Sequence, residues 1–593
     1  MTVLRATGGS LEEMAFAQGR ATAEQSRERL LEDLAHVRST TGTPWDAFAT
    51  RTLLARTARR AHARLADGSR GLVDAYAAGV RAGGVEEWAD WTSLGVMAVH
   101  HALFGSLGHH LWRRHVGRTL GPAARDRLVQ EAPALSGSNA WVVGGSRSAD
   151  GLPLVGADPH RLVSVPGVYQ RVHLVATDED VDVVGLTFPG VPGVQHFGHT
   201  GTVAWAITNA MADTQQPTDV GPDEPRDLVD GVPVTAHGPL VLERADGSGV
   251  AVRTVPWLLD DLGLDALPGL LRARTVADVD VALDAWVEPV NDVLVADVEG
   301  RVLHRVAGRV PRRTADGSWS GWVPSHRREV PADGHQVVAN HRQGPHSADL
   351  ADELAPPHRA RRLEQLLQEH PVLDVEAAAA LHADTVLLPA AAWQERLRLL
   401  VLDGETPQVA ELRDRLVAWD RRMDADSVEA ARFATLRSAA VRGLLAHAAA
   451  APLARTPTDP WSGPGELFAP WLRPEPRLAL ALDRWVAGDP PLDGVDVDAL
   501  LRHGLRDAAP ALADPVPWGD LHTFTPPGGP TLRLGGDDGC VLSTSSLPGI
   551  DDRVWRGPVA RLVWCLADRS RSRWTVPDEL DVWASGATSS LED

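Results

Sequence analysis

Gly137-Ser138-Asn139-Ala140-Trp141-Val142-Val143 is the stretch from which the rest of the chain is read. A small pair, Ser136-Gly137, leads into a serine, and an apolar run with β-branched residues follows at once. That is the pattern of a turn entering a strand. A serine at such a place ordinarily bonds the local backbone and does no more. The alternative is that the chain is cut before Ser138, which gives one residue both a hydroxyl nucleophile and a free α-amine. What favours the alternative lies in the segments on either side.

Upstream, residues 11–37 read as helical, with Leu11, Met14 and Ala15 on one face and Ala23, Leu30, Leu31 and Leu34 continuing it. Residues 49–83 read as two helices broken at Asp67-Gly68-Ser69, and residues 85–130 as helices rich in Trp and His. His100, His101, His109 and His110 invite a metal reading, but no carboxylate stands at ligand spacing among them, and helix-core or helix-surface histidines are the better account. Downstream, from Asn139 to about Ala210, the period shortens to strands separated by turns such as Ser148-Ala149-Asp150-Gly151 and Thr177-Asp178-Glu179-Asp180. Residues 291–308 read as a hairpin turning at Val298-Glu299-Gly300, residues 359–507 as helical, and residues 515–585 as strands and loops. Strands, then helices, then strands describe an α+β layered fold with a helical insertion.

Composition narrows the function. A chain of 593 residues is too long for one core, since cores rarely grow past ~250–300 residues. The net charge of -21 argues against a nucleic-acid partner. All 58 basic residues are arginine, so lysine Schiff bases, pyridoxal-phosphate lysines and P-loop lysines are excluded. Two distant cysteines, Cys540 and Cys565, make neither a disulfide framework nor a four-ligand zinc site, and leave one disulfide open. The first twenty residues have no apolar signal region and no window approaches a membrane span. A cytoplasmic protein without a membrane partner is expected, or a periplasmic or secreted one if a leader has been removed.

Five segments in order resemble the penicillin acylase family of N-terminal-nucleophile hydrolases, which includes cephalosporin acylases and N-acyl-homoserine-lactone acylases. They are LEEMAFAQGRATAEQSRERLLEDL, GSNAWVVGGSRSADGLPLVGADPHRL, GLTFPGVPGVQHFGHTGTVAWAITNAMADTQ, NDVLVADVEGRVLHRVAGRVP, and VVANHR with HRARRLEQLL beyond it. The resemblance implies an αββα four-layer sandwich and self-cleavage between Gly137 and Ser138. It implies an α chain of residues 1–137 and a β chain of residues 138–593, held as a heterodimer from one precursor, the β chain carrying the helical insertion at about 359–507. It also implies hydrolysis of a small N-acyl compound through an acyl-enzyme on Ser138. By position, the oxyanion hole falls on the backbone N–H of Asn209 and the side chain of Asn340, a histidine after the β-chain start on His160, and a supporting arginine on Arg359.

The chemistery of those residue types fits the reaction. A serine hydroxyl needs a base. A free α-amine, with a reference pKa of ~7.7–8.0, supplies one on the same residue, within reach through one water. Before cleavage that nitrogen is an amide and has no basic lone pair, so maturation is obligatory. A neutral amide N–H₂ and a backbone N–H aimed at the tetrahedral oxygen contribute roughly 2.7–4 kcal/mol per donor.

The sequence also departs from the family. No strand is expected before the first helix, the linker EAPALSG leaves little room for a spacer peptide, and the family's closing pattern is not recognisable. Of the calcium ligands carried by many members, Asp213 matches one position, while Gln216 and His110 stand at two others. Calcium needs about six to eight oxygen ligands with several carboxylates, so a weakened or absent site is expected, and no other cofactor. Arg161, after His160, is placed to favour a polar or carboxylate-bearing acyl group. An amidase of specialised or antibiotic metabolism is the leading reading. A catalytically silent binder of an acylated ligand, and an acyltransferase using the same acyl-enzyme, are the alternatives.

Overall fold

The computed structural model describes residues 3–102, 105–128, 137–314, 318–455 and 467–591. Most of the linker before Ser138, residues 131–136, lies outside them. Gly137–Val143 is an inner strand, antiparallel to His335–Val338 on one side and to Leu154–Leu162 on the other. The sheet continues through Arg561–Cys565, Arg573–Thr575 and Ser589–Ser590, and Asp551–Pro558 also pairs with the far end of Leu154–Leu162. A second sheet of eight strands runs Leu4–Gly8, Gln170–Ala176, Val181–Thr187, Phe197–His199, Val203–Asn209, Asn291–Asp297, Val302–Ala307, Arg327–Glu329.

The pleat decides which way each residue of the Ser138 strand faces. Ala140 and Val142 join Val155, Ala157 and Trp205 in the core between the two sheets. Trp141, Val143 and Leu154 join Leu363, Leu367 and Val375 in a separate core under the helices His358–Glu369 and Val375–Ala380. By the same alternation Ser138 faces the second sheet, while Asn139, Asp158 and His160 face those helices. On the far side of the second sheet, Leu11–Gln25 covers Leu4–Gly8 and Gln170–Ala176, with Asp67–Ala82 packed against it, and Leu267–Arg272 covers Val181–Thr187. Helix, sheet, sheet, helix is the four-layer sandwich expected from the resemblance.

Several expectations are corrected. A strand does precede the first helix: Leu4–Gly8 pairs in parallel with Gln170–Ala176, burying Leu4 and Ala6 and exposing Arg5 and Thr7. Five residues are too short an alternation to stand out locally, and the pairing partner lies far along the chain. The helix over 11–37 is two, Leu11–Gln25 and Arg27–Arg38, because Ser26 leaves the helical region at φ -131. Asp67-Gly68-Ser69 opens a helix rather than breaking one; the break falls at Leu65-Ala66. The helical insertion also divides. Its first two helices form the outer layer, and those from Ala390–Leu399 to Val497–Ala508 build a second large core that takes in Leu107–Leu120. Cys540 and Cys565 are both free and buried.

Candidate active site

Ser138 is 4% exposed at the start of its strand. Its backbone N–H donates to Asn340 Oδ1 at 2.7 Å, and its hydroxyl to the Gly137 carbonyl. Arg359, in the first turn of His358–Glu369, reaches in from the helical layer. One guanidinium nitrogen donates to Ser138 O at 2.8 Å and to Asn139 Oδ1; the other donates to Ala339 O at 3.2 Å and to Asn340 Oδ1 at 3.1 Å. Asn340 Oδ1 therefore receives two donors, which fixes the amide orientation. Its Nδ2 points the other way and donates to Asn209 O at 2.7 Å.

Local sequence makes this possible. Asn340 follows the strand His335–Val338 at φ +63, a left-handed conformation that Asn tolerates better than most residues. Gly137 lacks a side chain where a Cβ would come within 3.0 Å of Arg556 and 3.4 Å of Asn340 Oδ1. Asn209 closes its own strand: its Oδ1 accepts from the Met211 N–H at 2.7 Å, so its side chain shapes the turn and its backbone meets Asn340.

His160 stands differently. It is fully buried on the helical side of the sheet, its Nε2 2.8 Å from Asp158 Oδ2. Asp158 also accepts from Asn139 Nδ2 at 3.1 Å and lies 3.5 Å from His382 Nδ1. Burial, with Arg359 and Arg556 nearby, pushes the imidazole down to about 4 despite Asp158. Although burial opposes it, the two histidines hold the Asp158 carboxyl at about 2. The pair is thus an ionised carboxylate accepting from a neutral imidazole, joined through Asn139 to Arg359.

On the other face of the sheet a cleft opens in front of Ser138, lined by Arg161, Tyr169, His196, Asn209 and Glu288 among others. Arg161 is 9% exposed, with its guanidinium 5.0 Å from the centre of the Phe188 ring. Phe188 in turn stacks on Tyr169 and His100. Burial lowers the Arg161 pKa. Tyr169 and His196, joined at 3.0 Å, and Glu288, which accepts from Thr214 Oγ1 at 2.7 Å, escaped the sequence reading. They come from separate elements with no shared spacing. Asp158 had a signal: it stands two residues before His160, on the same face of one strand. Burial raises the Glu288 carboxyl to about 7.

The four histidines of the helical segment are packed against other groups. His100 stacks on Phe188 at 4.4 Å, and His101 lines the Ser138 cleft. His109 and His110 lie near Glu353 and Asp213, at 3.8 and 3.1 Å. The carboxylates absent from the local spacing come from far along the chain.

Comparison with known proteins gives a consistent result. The family model described as Penicillin amidase matches residues 3–232 and 223–579. The chain is 28% identical over 600 residues to the penicillin acylase 2 proenzyme of Pseudomonas sp. (strain SE83), which covers 83% of this chain and 75% of that protein. It is 26% identical over 392 residues to the acyl-homoserine lactone acylase QuiP of Pseudomonas aeruginosa, covering 54% of this chain and 46% of that one. Among solved structures, the thermostable penicillin G acylase from Alcaligenes faecalis superposes with a TM-score of 0.51 at 16% identity, covering 76% of this chain and 96% of that one. The likeness to that structure speaks for the fold, and the match along nearly the whole sequence goes further: the chain belongs to the penicillin amidase family, whose members hydrolyse amide C–N bonds.

Proposed function

We propose that this chain is an autoprocessed amidase that cleaves small N-acyl compounds through an acyl-enzyme on Ser138. The observation that carries the reading is Asn340, whose amide spans from the nitrogen of Ser138 to the end of the Asn209 strand. In maturation, Ser138 Oγ attacks the Gly137 carbonyl carbon and the Gly137–Ser138 C–N bond breaks as an ester forms. Water then hydrolyses the ester, leaving a Gly137 carboxylate and a free Ser138 α-amine. The products are an α chain of residues 1–137 and a β chain of residues 138–593.

In turnover the α-amine, held by Asn340 Oδ1, takes the Oγ proton through one water as Oγ attacks the substrate carbonyl. The tetrahedral oxygen is met by the second hydrogen of Asn340 Nδ2 and by the Asn209 backbone N–H. The amide C–N bond breaks, the proton passes to the leaving nitrogen, and water releases the acyl group as an acid. Arg359 keeps the Asn340 amide in register. His160 acts through Asp158 and Asn139 as a positioning residue, since its imidazole is bonded to Asp158 on the helical side of the sheet.

Arg161 supports a preference for acyl groups that end in a carboxylate or another polar acceptor. Arg161→Leu is expected to lower kcat/KM for such an acyl group at least tenfold and to spare a plain alkyl one. A wild-type preference for phenylacetyl or long alkyl amides refutes this. Intact mass of purified protein tests the core of the proposal: two fragments with Ser138 at the new N-terminus, and one uncut, inactive chain for Ser138→Ala. Activity that survives in Ser138→Ala overturns it.

A further inference from the structure

Beside the cleft, charged side chains from both sides of the Gly137–Ser138 bond meet around two buried carboxylates. Asp213 is 4% exposed, three residues beyond Ala210 on the turn that leaves the Asn209 strand. Its oxygens lie 3.1 Å from His110 Nε2 and 3.7 Å from Arg113 NH2, and Arg313 caps it directly. Glu353, 3% exposed, lies 2.8 Å from Arg113 Nε and 3.0 Å from Arg477 NH1. Arg113 and Arg313 both reach Asp352, at 2.6 and 3.3 Å. Three guanidinium groups thus face three carboxylates. His109, His110 and Arg113 stand on one helix, Leu107–Leu120, before the cut; Asp213, Arg313, Asp352, Glu353 and Arg477 all come after it.

This is the place where the family resemblance sets a calcium ion, and the residues do not fit one. Of the matched positions only Asp213 is a carboxylate; Gln216 and His110 fill the others. No group of three or more His, Cys, Asp or Glu side chains among the described residues could hold a metal ion. A divalent cation needs about six to eight oxygens, and Asp213 already has two guanidinium groups and an imidazole within 4 Å. Positive charge placed there by Arg113 and Arg313 repels a metal rather than recruits one.

We propose that Arg113 and Arg313 take the place of a structural metal, and that with Asp213, Asp352 and Glu353 they form the latch that keeps residues 1–137 docked on the rest of the chain after cleavage. The latch rests on the proposed cut for its role between two fragments, but its ion pairs exist in the uncut chain as well. It also braces the site. Met211, Ala212 and His109, its immediate neighbours, line the cleft in front of Ser138. Arg113 is the central member, because among the described residues it alone reaches all three carboxylates. A methionine there would leave two buried carboxylates short of a cation, which is far costlier than loss of a surface pair. Arg114, the next residue on the helix, pairs with Asp219, which is half exposed, and serves as the control.

The test is thermal unfolding and gel filtration of the purified full-length protein, with intact mass recorded on each sample. With excess EDTA, and with millimolar calcium chloride, the wild-type melting temperature is expected to stay within a degree of the untreated value. Arg113→Met and, more mildly, Arg313→Met are expected to melt several degrees lower, and Arg114→Met to match the wild type. Where two fragments are present, the Arg113→Met fragments are expected to separate at a salt concentration the wild type survives. Destabilisation by EDTA, stabilisation by calcium, or an unchanged melting temperature in both Arg113→Met and Arg313→Met overturns the latch. A single uncut chain that still shows the chelator indifference and the arginine effect keeps the ionic cluster in place of the metal and refutes its role between fragments, together with the proposed maturation.

Discussion

Asn340→Asp keeps one job of the Asn340 amide and removes the other, together with its hydrogen bond to Asn209 O. The aspartate keeps an oxygen where Oδ1 accepts from the Ser138 nitrogen at 2.7 Å and from Arg359 at 3.1 Å, so the anchor of Ser138 survives. What is lost is Nδ2, the donor that sits 2.7 Å from Asn209 O and carries the hydrogen assigned to the tetrahedral oxygen. An acceptor stands there instead, facing the developing negative charge. Losing one oxyanion donor costs about 2.7–4 kcal/mol, or roughly 10²–10³ in kcat. A carboxylate at the same place moves the effect to the upper end of that range. Because the donor acts on the transition state rather than on bound substrate, KM is expected to stay within about threefold. The assay is release of free amine from a simple N-acyl substrate, with intact mass run first so that lost maturation is not read as lost turnover. Asn340→Gly is the companion: it accommodates φ +63 but removes the anchor as well, so turnover and the melting temperature fall together. A kcat for Asn340→Asp within tenfold of the wild type would falsify the role given to Asn340.

Other expectations follow from the same geometry. Arg359→Lys keeps the charge but not the fork that reaches Ser138, Asn139, Ala339 and Asn340 together; loss of about 3 kcal/mol or more of stability and most turnover is expected by denaturant titration and amine release. Equal stability and activity in Arg359→Lys would count against the bridge. Glu288 provides a pH test. Burial raises its carboxyl from 4.5 to about 7, so the folded protein keeps a proton that the unfolded chain releases between those values. Stability from this group is therefore lost as pH rises through that window, by up to about 3 kcal/mol, and is flat above it. Glu288→Gln is expected to gain on the wild type over pH 4.5–7 by that amount in urea titrations; a difference that does not change with pH refutes the shift.

The sequence by itself determined the strand that carries Ser138 and the alternation of strand-rich and helix-rich segments around it. Turn residues before an alternating apolar run mark Gly137–Val143 wherever it packs, and the hairpin at Val298-Glu299-Gly300 is equally local. Helical periodicity after Arg359 also survives, because each helix carries its own buried stripe. Ser138, Asn209, Asn340 and Arg359 became legible together only through the family likeness, since they are separated by up to about two hundred residues and no local spacing joins them. Tertiary structure decided what depends on the face a residue presents and on the partners that arrive from elsewhere. The pleat turns Ser138 toward the second sheet and the His160 ring toward Asp158 and the helical layer, although they stand on neighbouring strands and both residues border the cleft. Leu4–Gly8 becomes a strand because Gln170–Ala176 lies beside it. Asp213 finds two arginines instead of other carboxylates, one from each side of the proposed cut. Burial then sets the charges: it holds Glu288 near neutrality and keeps His160 uncharged, and neither effect is written in the residues alone, because desolvation is a property of the packed neighbours.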